Sequence, residues 1–82
     1  MNEEQWVKEG VEYFRKFIRR AKAPFRSEQV RAFAEAKGFR VPRHKRNWAT
    51  VTRVVRNMGL IESTGIERDS NGSFKTLWIK AA

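Results

Sequence analysis

Arg46, Thr50, Arg53 and Asn57 recur at i, i+4, i+7 and i+11. That spacing places four hydrogen-bonding side chains on one face of an α-helix. Their types suit a duplex groove: Arg bonds bidentately to guanine, Asn to adenine, and Thr reaches a base edge or a phosphate. The opposite face of the same segment is apolar, with Trp48, Val51, Val55 and Met58 at i, i+3, i+7 and i+10. The surrounding stretch, Ala36 to Ile61, holds seven Lys/Arg residues (Lys37, Arg40, Arg43, Lys45, Arg46, Arg53 and Arg56) and no acid. A helix face kept only for solubility usually mixes charge signs. This one does not, which favours an anionic ligand over a merely solvated face.

The flanks extend that chemistry. Arg43, His44 and Lys45 precede the helix, where backbone N–H groups also favour an anion. With Arg56 they read as phosphate contacts, which give affinity without sequence information. Arg68 and Lys75 flank the turn Asp69-Ser70-Asn71-Gly72 and could lie on a phosphate backbone or in a minor groove. Glu67 and Asp69 dilute the charge there, so a plain solvated turn is equally consistent. Arg15, Lys16, Arg19 and Arg20 read mostly as solvent-facing.

Catalytic chemistry finds no support. The chain has no Cys, one His, no glycine-rich phosphate loop and no carboxylate pair in an apolar setting. Glu3, Glu4, Glu9 and Glu12 read as exposed helix residues. The expectation is a non-enzymatic chain with no metal and no cofactor.

The elements that must position these residues follow from hydrophobic periodicity. A chain of 82 residues is one domain, and its net charge of +9 predicts attraction to polyanions. A first helix is expected over about 3–23, with Val7, Val11, Phe14 and Ile18 on one face, acids in its first turn and Pro24 as its stop. A second is expected over about 27–37, with Ser27 as N-cap and Gly38 at C′. The third spans about 46–58 and ends at Gly59. A β-hairpin follows over about 60–80, signalled by its turn chemistry. Leu77, Trp78 and Ile79 are consecutive, so alternation alone does not say which faces inward. Trp6, Tyr13, Phe14, Phe17, Phe33 and Trp48 read as core, with Trp6 also a candidate dimer contact. No apolar run approaches a membrane span. The acidic start argues against a signal peptide, so a cytoplasmic protein is expected.

Three helices followed by a hairpin is an α+β, winged-helix order. The chain resembles the winged helix-turn-helix family, and more narrowly small phage- and prophage-encoded winged-helix proteins. The resemblance covers about 23–80. It rests on Phe25-x-Ser27-x-x-Val30-Arg31, Pro42-x-His44-x-x-x-Trp48-Ala49, Gly59-Leu60-Ile61, Thr64-Gly65 and Leu77-Trp78. The wider family implies double-stranded DNA binding with the third helix in the major groove. The expected role is a transcription or replication accessory factor, as a monomer or weak homodimer. The competing expectation is a protein-interaction module of the same fold, acting on a replication, transcription or host-defence complex. RNA or single-stranded DNA binding would require aromatics exposed on a basic surface.

Overall fold

A computed structural model of the chain describes residues 3–40, 42, 46–68 and 71–81. Three helices, α1 (Glu3–Arg20), α2 (Ser27–Ala36) and α3 (Arg46–Asn57), precede two strands, β1 (Ile61–Arg68) and β2 (Phe74–Lys80). The strands form an antiparallel hairpin. This is the expected α+β layout, in a winged-helix arrangement.

Each helix turns its apolar stripe to one core. Phe14, Val30, Ala34, Val51 and Val55 are completely buried, with Trp6, Val11, Ile18, Phe25, Phe39, Trp48 and Ile61 around them. Burying such side chains is worth roughly 1.5–3 kcal/mol each. α1 packs closely on α3 because Gly10 carries no side chain at the crossing. A Cβ built there would lie 2.9 Å from Val51 Cγ2.

The helix ends obey local rules. Gly38 and Gly59 have φ of 91° and 76°, a region that favours glycine. The amides that follow them bond back to the helix, Phe39 N to Ala34 O at 3.0 Å and Leu60 N to Val55 O at 3.2 Å. Three boundaries differ from expectation. α1 ends at Arg20, ahead of Pro24, because the chain must leave the helix for Phe25 to pair with Trp78. The N-cap of α2 is Arg26, not Ser27, and the Arg26 amide donates to Gln29 Oε1 at 2.8 Å. Met58 lies past the end of α3 and is 49% exposed, so it is not part of that helix's buried face.

Phe25 and Trp78 exchange two backbone hydrogen bonds, of 2.9 and 2.8 Å. This one-residue bridge gives the hairpin a third, minimal strand and fixes which face of β2 is inward. Trp78 packs on the core, while Ile79 points away and is exposed. A register shift between Ser63 and Gly65 bulges β1. Within β1 only Ile61 is buried, so the hairpin packs at its root and projects beyond it.

Trp6 is core, 6% exposed, which corrects its candidacy as a dimer contact. Its indole stacks on Phe39 with ring centroids 4.9 Å apart and meets Trp48 edge-on at 5.3 Å. Its Nε1–H donates to Arg40 O at 3.0 Å. Glu9, expected to be exposed, is half-buried. Its Oε2 is buried without a hydrogen-bond partner among the described residues. No helix among the described residues is long and apolar enough to cross a membrane.

Candidate nucleic-acid interface

α3 carries the candidate site, and its orientation is set from three sides. Trp48, Val51, Thr52 and Val55 are buried, together with Asn47. Thr52 Oγ1 donates to Trp48 O one turn back, at 2.9 Å, so this hydroxyl is satisfied inside the helix. With those positions committed inward, helical geometry leaves Ala49, Arg53, Arg56 and Asn57 outside, and all four are exposed. Neither Arg53 nor Arg56 makes an ion pair among the described residues.

Of the other expected contacts on α3, Arg46 opens the helix, and its side chain lies outside the described part of the structure. Thr50 is half-buried and turns toward α1. There it lines an open apolar groove of about 660 Å³ with Val7, Val11, Val54 and Met58. It therefore does not share the fully exposed face of Arg53 and Asn57. Arg43, His44 and Lys45, expected as phosphate contacts, lie outside the described residues, as do Asp69 and Ser70 of the turn.

The hairpin side of the site is less cationic than its sequence suggests. Lys75 Nζ lies 3.6 Å from Glu28 Oε1, and Arg26 Nη1 lies 3.6 Å from Glu67 Oε1. Both pairs are substantially exposed, so each contributes at most about 1 kcal/mol. They do neutralise charge between the start of α2 and the hairpin. The Arg68 guanidinium lies 5.8 Å from the ring centroid of Phe74, a cation–π distance. Arg26, Ser27, Glu28, Ala49, Thr52, Phe74, Lys75, Thr76 and Trp78 line one groove of about 280 Å³ beside the exposed edge of α3.

Two residues at this site escaped the sequence reading. Phe74 is 72% exposed and Ile66 is 70% exposed, both on the hairpin. Alternation back from an inward Trp78 would have put Thr76 and Phe74 on the same face. It would not have said that the core ends before it reaches Phe74. The aromatics assigned to the core divide in two: Trp6, Phe14 and Trp48 are buried, while Tyr13, Phe17 and Phe33 are half-buried.

Compared with protein-family models, curated protein sequences and solved structures, the chain matches none.

Proposed function

We propose that the chain is a non-enzymatic winged-helix protein that binds double-stranded DNA. α3 enters the major groove and the hairpin follows the backbone or minor groove. The observation that carries this reading is the exposed face of α3. Arg53 and Arg56 stand there with Asn57, unpaired with any acid among the described residues, in a stretch of sequence without carboxylates. Arg53 and Asn57 read base edges, Arg56 and Arg68 meet phosphates, and Lys75 contributes less because Glu28 competes for it. Arg43, Lys45 and Arg46 add positive charge at the start of the helix, and His44 a further hydrogen-bonding group. The resemblance to phage and prophage winged-helix proteins suits a cytoplasmic accessory factor of transcription or replication.

A second reading is a protein-interaction module of the same fold. The apolar groove between α1 and α3, with exposed Met58 at its rim, favours it. One experiment separates the two: an NMR titration of labelled protein with a generic duplex and with a single strand, at low and moderate salt. The DNA reading expects duplex-preferring shifts at Arg53, Arg56, Asn57 and the hairpin, weakening steeply with salt. Absence of localised shifts with either nucleic acid at low salt rejects it.

A further inference from the structure

Beyond its root, the hairpin leaves two large apolar side chains in solvent. Phe74 and Ile66 both belong to the strand face that carries Trp78. Thr76 and Phe74 follow Trp78 in alternation along β2, and Ile66 and Arg68 pair with Thr76 and Phe74 across the ladder. At the root this face packs on the core through Trp78. Toward the tip it overhangs the groove that Ala49 and Thr52 of α3 also line. One helical turn beyond those two residues, on the same side of α3, come Arg53 and Arg56.

We propose that Phe74, backed by Ile66, is a wedge that enters a base step in the DNA minor groove and bends the duplex. This deepens the duplex-binding reading above and rests on it. Apolar side chains accompanied by arginine are the parts such a wedge needs: the cation meets the negative groove, and the apolar group parts the stacked bases. Arg68, held over the Phe74 ring, supplies that cation at the point of entry. The charges around the patch select DNA as its occupant. Glu67 on the hairpin is paired with Arg26, and Glu28 of α2 with Lys75. Arg68 beside Phe74, and Arg53 and Arg56 one turn further along α3, make no ion pair among the described residues. A lone aromatic would suit stacking on one unpaired base. Two adjacent apolar groups suit separation of two neighbouring pairs.

The test uses short generic duplexes carrying 2-aminopurine beside a pyrimidine–purine step, the step type that unstacks most readily. The parent protein should raise 2-aminopurine fluorescence and bend the duplex, by on the order of 20–90° in an energy-transfer assay. Phe74→Ala should abolish both signals and weaken binding on the order of tenfold, while Phe74→Trp should keep them. Because Phe74 is largely exposed, its truncation leaves the core intact, and an unchanged melting curve verifies this. A parent that binds duplex with neither signal, matched by Phe74→Ala, overturns the wedge and leaves duplex binding standing. A parent that binds no duplex overturns the underlying reading and the wedge with it. Self-association of the free protein that Phe74→Ala removes, without the DNA signals, overturns the wedge and assigns the patch to a second copy.

Discussion

Along the exposed side of α3, Arg53 and Arg56 extend into solvent with no acid paired to them among the described residues. Around the C-terminal ends of α1 and α2, by contrast, Lys16, Arg19, Arg20 and Lys37 gather about Phe33 in an open cleft of about 260 Å³. The second group has internal employment. Arg20 and Lys37 lie 6.0 and 5.4 Å from the Phe33 ring centroid, and Lys16 lies 5.2 Å from that of Tyr13. Their stems cover half-buried rings, and Arg19 and Arg20 complement the negative end of the α1 dipole. Charge density alone does not tell these regions apart. The difference lies in whether the fold already uses the cation, and the α3 arginines are among those it leaves over.

The largest expected effect tests this contrast directly. Arg53→Ala with Arg56→Ala should lower duplex affinity by roughly tenfold per arginine and reduce the salt slope by about one, for the phosphate contact of Arg56. Lys16→Ala with Arg20→Ala removes the same formal charge but should change affinity by less than about threefold, through long-range screening alone. Anisotropy titrations across a salt series read both, and equal losses in the two variants would erase the distinction between the regions.

The next effect concerns how α3 is seated. Gly10→Ala gains about 1 kcal/mol of helix propensity. It should nevertheless destabilise the protein, because overpacking against the stiff, buried Val51 costs about 1–3 kcal/mol. A higher urea midpoint for this variant would contradict the close-approach account. Trp6→Phe removes the donor to Arg40 O and should cost about 1 kcal/mol of stability, read by the same unfolding curves. The smallest effect is assigned to Lys75→Ala. Its exposed pair with Glu28 predicts a stability change within about 1 kcal/mol, and affinity should fall less than for Arg68→Ala. A larger loss at Lys75 would mean that DNA displaces Glu28.

Much of the scaffold is legible locally. Apolar spacing marks the three helices, Gly38 and Gly59 mark two helix ends, and the turn residues mark the hairpin. The exposed Arg53 and Asn57 face follows from the same spacing, because a helix with one apolar side has its polar side decided too. The approach of α1 to α3 at Gly10 has no local signal, since an isolated glycine in a helical pattern reads only as a weak propensity. Glu9 resembles its acidic neighbours in sequence, yet it is half-buried.

The sequence by itself therefore determined the element order, the basic character of α3 and that its Arg53 and Asn57 oppose the core, because these depend on neighbours within a few turns. Only the tertiary structure decided that Trp6 anchors the chain before α3, that Phe25 joins the hairpin, and that Thr50 turns toward α1. It also decided that the core stops short of Phe74. Each of these depends on residues far apart in the chain meeting in space, and hydrophobic periodicity carries no record of such meetings.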